Sequence, residues 1–185
     1  MSEQEHEEQG GDEQRKGFAG GWSREDLTEL YETMSRIFRD NMERAGTLTE
    51  EAFERALRET RDWAGKMREN YRDHYADDVS RVADYIRRDW HEGIRYAREQ
   101  YRRNFDFDRL QAGAMGALSR LAKSAGEQLE AFASKLSERL TYKTGEIAGA
   151  GTLQCLQCDQ QLVFDKATRI PPCPKCHGTQ FRRSF

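Results

Sequence analysis

Four cysteines carry the evident chemistry of this chain. They form two pairs, Cys155-Leu-Gln-Cys158 and Cys173-Pro-Lys-Cys176, with fourteen residues between them. Two intervening residues let both thiolates of one turn point at a common centre. Two such turns, brought together by a short hairpin, close a tetrahedron with Zn–S of about 2.3 Å. The spacing therefore predicts a zinc ribbon in which Cys155, Cys158, Cys173 and Cys176 hold one structural Zn2+. Thiolates also suit iron, so a rubredoxin-like iron site is the chemical alternative. A disulfide pair does not fit a reducing compartment, and a redox C-x-x-C belongs beside a βαβ pattern that is missing here. His177 directly follows the last cysteine and would replace a ligand only by distorting the turn. Four thiolates fill the shell and leave no place for a metal-bound water, so no hydrolytic zinc chemistry is expected.

Other catalytic constellations are missing. Neither His74 nor His91 has a Glu three residues before it, as a carboxylate-bridged di-metal site in a helical bundle would need. No phosphate-binding G-x-x-x-x-G-K-[ST], G-x-S-x-G or H-E-x-x-H occurs. The chain reads as a non-enzymatic protein, with no small-molecule substrate evident.

The elements that must carry the cysteines are mostly helical. Only three Val and five Ile occur, too few β-branched apolar residues for a large sheet, and all three prolines lie at 171, 172 and 174. Ser23 with Asp26 resembles a capping box. Leu27, Leu30, Met34, Phe38, Met42 and Ala45 then step by three or four along one helical face. Gly46 supplies a stop, and Thr47 with Glu50 the next start. A second helix is expected through Phe53, Ala56, Thr60, Trp63, Met67, Tyr71 and His74, and Ala76-Asp77-Asp78 reads as a break or cap. A third follows through Val79, Val82, Ile86, Trp90, Ile94, Ala97, Tyr101 and Phe105, as a separate rod or the continuation of a kinked one. Phe107, Leu118, Leu129 and Leu140 recur every eleven residues, which predicts a long, nearly straight fourth helix. The fold class expected is mainly α: long antiparallel helices in a coiled-coil-like hairpin or bundle, plus a small C-terminal β zinc ribbon.

Three regions follow. Residues 1–22 carry six acids against Arg15 and Lys16 and five glycines, and read as a disordered acidic tail. Residues 23–140 form the helical domain. Residues 141–185 form the ribbon, entered through the glycine-containing connector 144–151, with strands at 161–164 and 179–183 and a turn at Asp165-Lys166. The N-terminus has neither a basic nor an apolar region of a secretory signal, and no stretch of about 20 apolar residues exists. A soluble, cytoplasmic protein is expected.

The segment from Leu140 to Cys155 (LTYKTGEIAGAGTLQC), with Cys173-Pro-Lys-Cys176 and the closing Gln180-Phe-Arg-Arg-Ser-Phe185, resembles the bacterial zinc ribbon-containing YbeL-like family. The turn Arg44-Ala-Gly-Thr-Leu-Thr-Glu50 is similar to the one joining two helices in that family. The resemblance spans residues from about 25 to 185. It implies zinc, four cysteine ligands and an intracellular location, and no particular activity.

Two functional readings arise. In the first, the helices form a self-associating or protein-binding scaffold and the ribbon is a zinc-dependent recognition head. In the second, Arg169, Lys175, Arg182 and Arg183 contact nucleic acid. Residues 141–185 carry six basic residues against three acids, but a zinc tetrathiolate contributes −2 and brings the folded ribbon near +1. That makes charge compensation as good an explanation as phosphate binding, so the first reading is preferred. Arg81, Arg88, Arg95 and Arg102 recur every seven residues beside Glu92 and Glu99, and are expected to form a solvated, self-neutralised helix face.

Overall fold

The computed structural model describes residues 24–66, 75–102, 126–135 and 140–185. The acidic tail, the Ser23 cap, the residues expected to extend the second helix to His74, and Phe107 and Leu118 of the eleven-residue repeat lie outside the described residues; of the other two repeat positions Leu129 is helical and Leu140 is not. Within them the helices are α1 (Arg24–Ala45), α2 (Glu50–Lys66), α3 (Tyr75–Arg102) and α4 (Gly126–Lys135).

The helix faces follow the three-and-four stepping. Leu30, Met34, Phe38 and Met42 of α1 are buried, as are Phe53, Ala56 and Thr60 of α2 and every member of the α3 series from Val79 to Ala97. Ala45, the last of the α1 series, is exposed. One turn closes α1: Gly46, at φ 63°, donates its N–H to the Met42 carbonyl at 3.2 Å, a left-handed stop that glycine adopts without strain. The cap of α2 is Thr49 rather than Thr47. The Thr49 hydroxyl accepts the Ala52 N–H at 3.2 Å. Thr47 instead donates its hydroxyl to the Gln128 side chain of α4 at 2.8 Å.

α2 and α3 are separate helices lying side by side, not one kinked rod. Glu54 pairs with Arg87 and Arg61 with Asp84, so the two run antiparallel. The residues read as a break, Ala76-Asp77-Asp78, form the first turn of α3, where two carboxylates suit the positive end of the helix dipole. An aromatic cluster ties the four described helices together. The Phe53 ring of α2 lies 5.1 Å from Phe38 of α1, 5.1 Å from His91 of α3 and 5.6 Å from Phe132 of α4.

The C-terminal part is β-structure: β1 (Tyr142–Lys143), β2 (Ile147–Ala148), β3 (Gly151–Cys155), β4 (Gln161–Phe164), β5 (Thr168–Arg169) and β6 (Gln180–Ser184). The order β1-β6-β3-β4 forms an antiparallel sheet, and β2-β5 form a separate two-stranded one. Its core contains Tyr142, Leu153, Leu162, Ile170 and Phe181 around Cys155 and Cys173. The segment read as a connector thus contains β2, and the two residues of that strand divide between two cores. Ile147 packs into the helical cluster and Ala148 into the ribbon cluster, the alternation a strand imposes. Phe185 is not a core residue of the ribbon. It is 56 % exposed and stacks on Tyr96 of α3, with ring centroids 4.3 Å apart.

Candidate metal centre

The two C-x-x-C turns are built alike. Cys155 ends β3, and its backbone N–H donates to the Gln160 carbonyl at 2.9 Å while its carbonyl accepts the Asp159 N–H at 3.1 Å. Cys173 repeats both bonds, donating to Gly178 at 2.9 Å and accepting from His177 at 2.8 Å. In each turn the residue after the second cysteine is left-handed, Asp159 at φ 58° and His177 at φ 59°. Asp and His tolerate this region better than most side chains, which explains how the first turn forms without a glycine after Cys158. Gln154 donates a side-chain N–H to the Asp159 carboxylate at 3.0 Å and helps hold it there.

The pairs at β3 and at the 173–176 turn meet because β3 and β6 are hydrogen-bonded neighbours, with Cys155 opposite Phe181. All four sulfur atoms lie within 4.8 Å of one another. Sγ of Cys155 is 3.6 Å from Sγ of Cys176, and Sγ of Cys158 is 3.6 Å from Sγ of Cys173. A regular tetrahedron with metal–sulfur bonds of about 2.3 Å has edges of about 3.8 Å, so the cluster has the dimensions to hold one tetrahedral cation. The N–H of Gln157 points at Sγ of Cys155 from 3.4 Å. Burial pushes the Cys173 thiol up, but the N–H groups of Cys176 and Lys175 and the adjoining thiols overcome it and bring it down to about 7. The Cys176 thiol accepts the Gly178 N–H, which lowers it, yet the crowding sulfurs push it up to about 12. Neighbouring thiolates repel, and a divalent cation is what lets all four ionise together. His177 is exposed and lies outside the cluster.

Sequence reasoning missed the seam that fastens this centre to the helices. Arg88 does not belong to a solvated stripe. Its side chain is 9 % exposed, pairs with Glu146, and donates to the Ile147 carbonyl at 2.7 Å. Its guanidinium lies 3.9 Å from the centroid of the Tyr142 ring. Glu92, also buried, accepts the Leu140 N–H at 2.8 Å. Arg95 keeps the expected pairing with Glu92, at 3.9 Å, whereas Arg81 pairs along its helix with Asp78, at 2.7 Å. Next to Arg88, the Asp89 carboxylate accepts the Tyr31 hydroxyl at 2.6 Å and the Gly149 N–H at 2.7 Å, and pairs with Arg183 at 3.2 Å. Burial opposes the charge on Arg88 and Arg183, but Asp89 and the other partners more than reverse it, and both stay charged. Burial, then Asp89, holds the Tyr31 and Tyr142 hydroxyls above their ordinary range, so both are neutral; Tyr31 donates to Asp89, whereas Tyr142 accepts the Arg183 Nε–H at 3.3 Å.

Of the four basic residues named as nucleic-acid candidates, the three arginines are engaged within the molecule, whereas Lys175 is exposed. Arg182 donates to the Gln154 side chain at 2.9 Å and Arg169 to the Gly145 carbonyl at 2.6 Å. Arg183 is withdrawn into the seam with its side chain 5 % exposed.

No helix among the described residues is long and apolar enough to cross a membrane. No curated protein and no solved structure shows significant similarity to the chain. A family model does match: residues 40–185 fit the zinc-ribbon containing domain DUF1451, most of the chain and all four cysteines, and the chain belongs to that family.

Proposed function

We propose that this is a non-enzymatic zinc protein in which Cys155, Cys158, Cys173 and Cys176 hold one structural Zn2+, and in which the ribbon serves as a recognition head on a helical interaction scaffold. The observation that carries the metal assignment is the set of four sulfur atoms within 4.8 Å of one another. A complete thiolate shell favours a structural role, because no coordination position is left for substrate or water. The YbeL-like kinship within the zinc-ribbon family, a cytoplasmic location and a protein partner or a second copy of this chain as the ligand of the scaffold belong to the same reading.

The nucleic-acid reading is weaker, because Arg183 is unavailable to phosphates and Arg182 and Arg169 already have partners. Elemental analysis of protein purified without added metal should return about one equivalent of zinc, and Cys155→Ser or Cys176→Ser should lose it. An empty result, or zinc retained by both variants, overturns the assignment. Binding to DNA or RNA at two salt concentrations separates the two readings, since phosphate contacts produce a steep salt slope.

A further inference from the structure

The seam joins the metal centre to the helices through charges with partners on both sides: Arg88 and Asp89 of α3 pair with one another at 3.4 Å, and each also reaches into the ribbon. Asp89 belongs to α3 and is 9 % exposed, yet two of its partners, the Gly149 N–H and Arg183, come from the ribbon. Arg183 lies on β6, two residues beyond Phe181, which faces Cys155 across the β3–β6 ladder. The position of Arg183 therefore depends on the strand pair that brings the two cysteine turns together. Arg88 makes the same crossing from the helical side, onto Glu146, the Ile147 carbonyl and the Tyr142 ring. Around these charges the contact is apolar: Ile147 of β2 and Ala167, directly before β5, are buried in the helical core cluster. A charge buried at such a seam is tolerated only while its partners are in place.

From this we infer that the ribbon is a metal-dependent clasp across α1 and α3: zinc in the cysteine cluster stabilises the helices through the Asp89–Arg183 and Arg88–Glu146 contacts, and loss of zinc uncovers that helical face. The inference rests on the zinc reading above. Coupling of this kind is reciprocal: the factor by which zinc strengthens the seam is the factor by which a closed seam strengthens zinc binding, so a variant that opens the seam lowers zinc affinity by at most that factor.

The test uses the full chain. Hydrogen exchange is followed by mass spectrometry on the zinc-loaded protein and on protein stripped by a chelator. Segments around Tyr31 and around Arg88–Asp89 should exchange at least about tenfold faster without zinc. Zinc affinity, measured by chelator competition, should fall about tenfold in Asp89→Asn, which keeps the shape and removes the charge. It should stay unchanged in Val163→Thr, on the outward face of β4. Should Asp89→Asn fail to fold, Tyr31→Phe removes a single hydrogen bond and must shift affinity in the same direction by a smaller factor. Equal exchange of the helices with and without zinc, in protein that binds one equivalent, overturns the clasp and leaves the zinc reading standing. So does a seam variant with wild-type zinc affinity. A wild-type chain that binds no zinc removes both.

Discussion

Asp159 and His177 occupy the same place in the two cysteine turns, each directly after the second cysteine and each in left-handed backbone, at φ 58° and 59°. The two turns are thus conformational copies despite unrelated side chains.

This equivalence makes position 177 a place where glycine should be gained at little cost. A non-glycine residue held left-handed stores roughly 1 kcal/mol. His177→Gly should keep or tighten zinc binding and stabilise the ribbon by up to ~1 kcal/mol, whereas His177→Val should weaken it by ~1–2 kcal/mol. Chelator competition and thermal melting of the two variants check this.

Gly178 should tolerate nothing larger. A Cβ there would lie 2.7 Å from the Gln157 side-chain oxygen and 3.2 Å from Sγ of Cys155. Gln157 can swing away, but the sulfur is fixed by the cluster. Gly178→Ala should lower zinc affinity on the order of tenfold, read in the same competition assay, with the helical signal in circular dichroism largely kept.

His91 should make the helical part sensitive to acid. Burial among aromatic rings, then the charge of Arg87, lowers its pKa to about 4, with Glu54 opposing. The unfolded chain binds the proton near pH 6.5, so the folded state loses stability as pH falls from about 6.5 towards 4, by at most on the order of 3 kcal/mol. In His91→Phe that portion of the pH dependence should vanish. Denaturant titrations at pH 7 and pH 4.5 on both proteins measure it.

The aromatic cluster predicts a large effect at one residue. Phe53 is fully buried against rings from the other three described helices. Phe53→Ala should cost about 3–5 kcal/mol of stability, seen as a lower midpoint in urea.

The cysteine turns and helix faces were legible because both obey local rules. Two residues between thiolates is a property of one turn, and steps of three and four are a property of one helix. The seam was not, because Arg88 and Glu92 at i, i+4 read the same whether they face water or another part of the chain. Only the arrival of Glu146, Ile147 and Leu140 separates the cases. β2 was hidden for a related reason: two residues are too few to display a period, and the glycines around them suggested a loop. Thr47 and Thr49 are both good caps, and which one serves was decided by Gln128, some eighty positions away.

The strand order has a consequence in time. β6 lies between β1 and β3, so the strand that opens the ribbon pairs with the one that closes it. Such distant partners join slowly, whereas helical hairpins such as α1–α2 form from neighbours and assemble early. Arg88 and Asp89 must then spend the first moments of folding hydrated, until β6, which carries Arg183, reaches its neighbours and dries them.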